Sequence, residues 1–353
     1  KVGTIEGVTP WQKRARLVMA AIAIGVIAVV AYTMRPRQTA QPIEKPVRTD
    51  PTAKIETTGG EAIQFKGDQR NVRVEFERQT VNQQDEVRLH GVKILVDNRE
   101  GRSYVVTGKE AFLGPNMSSF DVRGDVKLET SDGLTAEGQH ATYVEVEKIV
   151  RVIGPVTFKR GRMSGSGVGF TFDEARDTMW ILDKADVKFA AEGTAAPMSF
   201  TAGAFGFARR DRYMRLERTL HIDREGQQID ATESTVRLFP DRDEPDYLEL
   251  RGGSKITGGP NDKALRLVSA TDINIDYDED GRTMKNMTLA GHAAIDLAPQ
   301  QGNTGQKLGG NFMDIGLEPD GSVRHLATRD NVTATLPAAK DAPARTIRST
   351  ALT

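Results

Sequence analysis

The chain has 353 residues, of which 38% are hydrophobic and 6% aromatic, with 34 glycines and no cysteine. Without cysteine there are no disulfides and no thiolate metal sites, and so few aromatic residues argue against one thick enzyme core. The net charge of −1 hides a split: residues 1–48 hold eight Lys/Arg and two Asp/Glu, and the remainder holds 40 against 47. A mildly acidic body argues against nucleic-acid binding, which selects a basic face.

Residues 1–16 read as a cytoplasmic tail. Leu17 to Met34 is an 18-residue run without charge, flanked by Lys13, Arg14 and Arg16 on one side and Arg35 and Arg37 on the other. At about 1.5 Å per residue it spans roughly 27 Å, near the thickness of a bilayer's hydrocarbon core. Trp11 and Tyr32 stand near its ends, where interfacial aromatics are favoured. The run is longer than a signal peptide's core and no Ala-x-Ala site follows it, so we read residues 17–34 as a retained transmembrane helix. Residues 35–58, with Pro36, Pro42, Pro46 and Pro51, read as an extended linker.

From Gly59 onward the sequence alternates with period two and offers no amphipathic helix of useful length. In Phe120-Asp-Val-Arg-Gly-Asp-Val-Lys-Leu-Glu-Thr130, Phe120, Val122, Val126 and Leu128 share one face and charged residues the other. Asp132-Gly133 turns the chain. The return strand carries Leu134, Ala136, Ala141 and Tyr143, and the next carries Val150, Val152, Val156 and Phe158. Val168, Phe170 and Phe172 continue the apolar row. Gly124 and Gly154 each lie halfway along a strand, where glycine signals a bend or bulge. The unit is a long antiparallel strand bent at its middle.

That unit recurs, centred at Gly91, Gly124, Gly154, Lys184, Arg218, Gly252, Gly291 and Asp330, at intervals of 33, 30, 30, 34, 34, 39 and 39 residues. Such a period marks a repeat architecture in which each unit buries its apolar face only by stacking on its neighbours. Ala195-Ala-Pro197 interrupts it and divides the body into modules of 59–195 and 196–353. The expected fold class is all-β, an elongated open β-jellyroll of bent antiparallel strands. The apolar row is either a sealed core or the lining of an open groove; its small and medium residues (Val122, Val126, Ala136, Val152, Val156) suit the second.

No chemistry-bearing constellation emerges. Asp276-Tyr-Asp278-Glu-Asp280-Gly281 opens like a calcium loop, but its twelfth position is Met287 rather than a bidentate Glu. His90, His140, His221, His292 and His325 are scattered without ligand spacing. Gly165-Ser-Gly167-Val-Gly169 precedes a strand rather than the helix that a dinucleotide loop requires. We expect no catalytic residue, no metal and no cofactor.

The pattern Val122-Arg-Gly-Asp-Val126-Lys-Leu, turn, Gly133-Leu-Thr-Ala-Glu-Gly-Gln-His-Ala-Thr-Tyr143, then Gly154-Pro-Val-Thr-Phe158 resembles the repeat of the lipopolysaccharide-export family: LptC, LptA and the OstA-like domain of LptD. A single anchor before such a body resembles the LptC arrangement, although this body is about twice as long. The resemblance implies a single-pass inner-membrane protein with its bulk in the periplasm and no enzymatic activity. It also implies lipopolysaccharide as cargo, with Phe120, Val122, Val126, Leu128, Leu134, Ala136, Tyr143, Val152, Val156, Phe158, Val168, Phe170 and Phe172 lining an acyl-chain groove. The implied partners are the membrane subunits of an ABC transporter and an LptA-like or LptD-like β-jellyroll. The latter would pair with the C-terminal strands around Val332-Thr-Ala334 and Arg345-Thr-Ile347-Arg348, with Val332, Ala334 and Ile347 at the docking edge. The alternative is a membrane-anchored structural or adhesion scaffold with a sealed core and no lipid cargo.

Overall fold

The computed structural model describes residues 53–353 apart from 67–68, 84–85, 100–101, 194–195, 259–264, 300–304, 337 and 339–342, together with residues 11, 18–19, 21–22, 24–26 and 28–29. The chain divides into two compact units, Lys1–Pro51 and Thr52–Thr353. In the first, the described residues are helical and exposed. Most of the expected transmembrane span 17–34, the tail before it and the linker up to residue 52 lie outside the described residues. Among the described residues no helix is long and apolar enough to cross a membrane.

The second unit is a single antiparallel sheet. Its strands β1 (Ile55–Lys66), β2 (Gln69–Val81), β3 (Val87–Arg99), β4 (Arg102–Leu113), β5 (Ser119–Thr130), β6 (Thr135–Val144), β7 (Ile149–Arg160), β8 (Met163–Asp173) and β9 (Thr178–Phe189) each pair with the next. The sheet thus begins at Ile55, inside the segment expected to be linker.

Beyond β9 each rung is two short strands laid end to end. These are β10 (Met198–Ala202) with β11 (Ala204–Ala208), β12 (Tyr213–Glu217) with β13 (Leu220–Arg224), and β14 (Gln227–Ala231) with β15 (Glu233–Leu238). The next are β16 (Pro245–Arg251) with β17 (Ser254–Gly258), and β18 (Leu265–Ala270) with β19 (Asp272–Tyr277). β9 carries β10 on one half and β11 on the other, so hydrogen bonding passes straight across the Ala195–Pro197 interruption. The two lanes rejoin on β20 (Met284–Leu297), followed by β21 (Gln306–Leu317), β22 (Val323–Leu336) and β23 (Arg345–Leu352). Because ten of the 23 strands form five rungs, the ladder has 18 rungs among the described residues.

Every expected centre is a corner. Gly91, Gly124, Gly154, Lys184, Arg218, Gly252, Gly291 and Asp330 all have positive φ, between 51° and 85°, and they fall on alternate rungs. Left-handed backbone turns a strand out of its pleat, and a glycine such as Gly154 adopts it without a Cβ clash. The pairing slips at these places, between Arg123 and Val126 and between Val152 and Pro155. Corner amides find partners along the ridge instead. Thr219 N donates to Thr232 O at 2.9 Å, Thr232 N to Arg251 O at 3.0 Å, Gly253 N to Thr271 O at 2.9 Å and Thr271 N to Gly291 O at 2.7 Å. The corners therefore interrupt the ladder without stranding buried polar groups.

The alternating residues of both legs turn inward and form one apolar cluster from Val72 to Ala334. In β5, Gly124 and Asp125 together occupy the corner, so Phe120, Val122, Val126 and Leu128 keep the same face across it. Burying such side chains stabilises by roughly 1.5–3 kcal/mol each. No single rung can do this alone, since its inward face is covered only by its own bent leg and by its neighbours.

Candidate functional site: the interior and its mouth

Bending every rung creates an interior between two legs and leaves two margins of hairpin turns. One margin holds the turns after β5 (131–134), β7 (161–162), β9 (190–197) and β13 (225–226). The other holds those after β8 (174–177), β11 (209–212), β15 (239–244) and β19 (278–283). Where the margins meet is the mouth of the interior.

Of the residues expected to line the interior, Phe120, Val122, Val126, Leu128, Leu134, Ala136, Val152, Val156, Phe158, Phe170 and Phe172 are buried on one face. Tyr143 is half-buried, with its ring centroid 6.1 Å from that of Phe120. Val168 does not join them. It pairs with Pro155 and Asp183 at the corner of β8 and is 37% exposed. The register slips between Ser166 and Val168, so the row changes parity at Gly169 and resumes at Phe170. The legs touch across the interior, with the rings of Tyr104 and Phe172 6.3 Å apart. Burial pushes the Tyr104 hydroxyl up to about 12.

The mouth is held by charge. Arg102 donates from both Nη atoms to Asp177 at 2.7 and 2.6 Å, and Asp177 is only 5% exposed. Arg209 Nη1 donates to Asp132 Oδ2 at 3.0 Å, an oxygen that also accepts from Arg160 at 2.6 Å. Further along, Arg282 Nη2 donates to Glu225 at 2.5 Å and Arg224 Nη2 to the Gly281 carbonyl at 2.8 Å. The Arg102–Asp177, Arg209–Asp132, Arg282–Glu225 and Arg224–Gly281 contacts each cross from one margin to the other. Hydrogen bonds to charged groups contribute roughly 1.5–3 kcal/mol where they are buried, as Arg102–Asp177 is, and about 0–1 kcal/mol where they are as exposed as Arg209–Asp132 and Arg282–Glu225; as a row they keep the legs together. Sequence reasoning used Asp132 only as a turn residue and missed the latches, because their partners lie 57 to 77 positions apart.

Burial alone would raise the Asp132 carboxyl, but the Thr130 hydroxyl and the guanidinium groups of Arg160, Arg102 and Arg209 outweigh it and hold the group below its ordinary value. A carboxylate with a depressed folded-state value contributes stability above its unfolded value and loses it as pH falls through the folded one. Melting curves taken from neutral pH into the acid range should therefore show a steeper loss for the natural chain than for Asp132→Asn. Equal acid sensitivity of the two would remove Asp132 from the latch.

Among the described residues no group of three or more His, Asp or Glu side chains is placed to hold a metal. In the 276–281 loop, Asp280 accepts from the Arg282 and Thr283 amides at 2.8 Å and from the Thr283 hydroxyl at 2.6 Å, as a hairpin tip does. At the far end of the sheet, Val332 and Ala334 are not edge residues. Their strand β22 is paired by β21 on one side and β23 on the other, and both side chains are buried. Of the three residues expected at the edge only Ile347, on β23, lies there, and it is 51% exposed. The strand expected around Arg345–Arg348 forms as β23 and pairs with β22, which takes Val332 and Ala334 off the edge.

Residues 20–189 match the family described as lipopolysaccharide-assembly, LptC-related. This segment belongs to the LptC-related family. The match ends at Phe189, the last residue of β9, so the two-lane rungs and everything after them lie beyond the LptC-related segment. Among solved structures, LptH of Pseudomonas aeruginosa is similar to the chain. It is described as the LptA-homologous periplasmic component of the conserved lipopolysaccharide transport device. It is 18% identical over 30% of this chain and 75% of its own, with a TM-score of 0.26. No curated protein matches the sequence. LptC-related proteins are non-enzymatic, and the match over residues 20–189 supports a role in lipopolysaccharide transport.

Proposed function

We propose that this chain is an inner-membrane-anchored periplasmic component of the lipopolysaccharide export bridge, with residues 17–34 as its single membrane span. Acyl chains travel in the interior between the legs, received from the membrane subunits of an ABC transporter. They pass on to an LptA-like or LptD-like β-jellyroll. The observation that carries this reading is the unbroken apolar interior from Val72 to Ala334, inside a ladder whose first and last described strands, β1 and β23, are each paired on one side only. An unpaired edge can accept a strand from a partner and so extend the apolar row from one molecule into the next. Loading requires the legs to part, since Tyr104 and Phe172 meet across the interior. The same close packing favours the sealed scaffold as a second reading.

A photo-crosslinking residue separates the two. Placed at Val126, Val156 or Phe170 it should capture lipopolysaccharide, whereas at Lys127 or Thr157, one residue away on the opposite face, it should not. Equal capture from both sets removes the assignment of faces, and no capture at any of the five leaves the scaffold.

A further inference from the structure

The latches are not continuous along the mouth. Between the Asp132–Arg209 and Glu225–Arg282 pairs, the turn at 161–162 and the loop after β9 face the turn at 239–244. Among the described residues no hydrogen bond or ion pair crosses the margins there. A cavity of about 410 Å³ lies at that place, walled by Asp132, Arg160, Arg162, Glu192, Arg209 and Glu244 at the rim. Its floor is apolar, formed by Met163, Phe189, Phe207, Met214 and Leu238. A second, smaller cavity of about 60 Å³ lies within, among Met198, Phe200, Leu216, Ile222, Ile229 and Val236. The two share the wall of Arg162, Phe189, Met214, Asp243 and Glu244.

Three arginines line the rim cavity, and they are not equivalent. Arg160 and Arg209 both bind Asp132. Arg162 lies over the Phe189 ring at 5.3 Å and donates through Nη1 to the carbonyls of Ala190 and Ala196, at 3.2 and 3.1 Å. Among the described residues it has no carboxylate partner. A planar cation is thus fixed at the junction of a polar rim and an apolar interior, with Glu192, Asp243 and Glu244 on the walls of the same cavity but none of them paired to it. Across the gap, Glu244 Oε2 is buried with no hydrogen bond, 3.6 Å from Arg242 Nε. Met214 lines both cavities, Met163 the outer one and Met198 the inner one, and methionine is the apolar side chain that repacks most readily.

We propose that this gap is a port for an aliphatic chain with an anionic head, a carboxylate or a phosphate monoester. Arg162 binds the head, and the chain passes between Met163, Phe189 and Met214 toward Phe200 and Leu216. A guanidinium held in plane by two carbonyls and a ring presents its remaining N–H groups to such an oxyanion. This inference rests on the reading that the interior takes acyl chains, and it adds where one enters and which group reads its head.

The full chain is photolysed with palmitate carrying a terminal diazirine, and the labelled residues are read by mass spectrometry. Labelling is expected at Met214 or Phe200, and Arg162→Gln should lower it about tenfold, the effect of one lost charge-assisted contact. Hexadecyl phosphate and unlabelled palmitate should both compete, the better competitor identifying the head, and hexadecanol should compete about tenfold less well. Equal competition by hexadecanol, or undiminished labelling in Arg162→Gln, overturns the head site. Labelling at Val126 and Val156 with none between Met163 and Met214 overturns the port and leaves the lipid reading standing. No label on any inward-facing residue overturns both.

Discussion

Replacing Phe170 by alanine is expected to lower the stability of the sheet by about 3–5 kcal/mol, the cost of removing a large aromatic from a filled core. Phe170 is 0% exposed and pairs with Val152 on β7 and Ile181 on β9, both of them buried. In a ladder stabilised by neighbour contacts the loss should show first as faster amide exchange in β7 to β9. Function gives this variant a second use. An apolar cavity without polar partners stays dry and takes apolar ligands. Decanol should therefore restore part of the lost stability, about 1.4 kcal/mol at ten times its dissociation constant, and should do less for the natural chain. Loss without rescue would indicate that the legs collapse onto the vacancy.

Proline scanning near the C-terminal edge should separate two kinds of damage. Thr333 lies on β22 and pairs with Gly309 on one side and Arg348 on the other, so Thr333→Pro removes ladder bonds from an internal rung. The expected cost is about 3 kcal/mol, with exchange protection lost in β21 to β23. Ile347 lies on the terminal strand, where Ile347→Pro disturbs an edge that the rest of the sheet does not need. The proposed bridge requires that edge, so Ile347→Pro should abolish capture of a β-jellyroll partner while leaving the melting of β2 to β20 unchanged. Capture that survives Ile347→Pro would place the partner elsewhere, for example on β1.

Much of this architecture is legible in the sequence because a bent strand has a period and a centre. The alternation around Gly124 and Gly154 reveals both the inward face and the corner. The repeat carries the assignment to Lys184, Arg218 and Asp330, which are not glycines. Gly59, a further positive-φ corner, escapes notice because Thr57-Thr-Gly-Gly60 has no apolar alternation around it. Val168 is misplaced for a local reason: a bulge shifts parity by one residue, and apolar identity does not record the slip. Ile347 lies on the edge but Val332 and Ala334 do not, because two successive strands cannot both be the last and β23 covers β22. The mouth is the least legible part. Asp132 reads only as a turn residue and Asp177 and Glu225 carry no signal, and only the folding of one margin onto the other gives Arg209, Arg102 and Arg282 to them.

The central claim is that acyl chains occupy the space between the legs, and intermolecular NOEs test it most directly. The methyl groups of Val126, Leu128, Val156 and Ile181 face inward and are buried, whereas Val146, Ile153 and Leu182 are exposed on the outside. With decanoate added to saturation, the account predicts cross-peaks from the chain's methylene protons to the inner set and none to the outer set. Cross-peaks confined to Val146, Ile153 and Leu182 would contradict it.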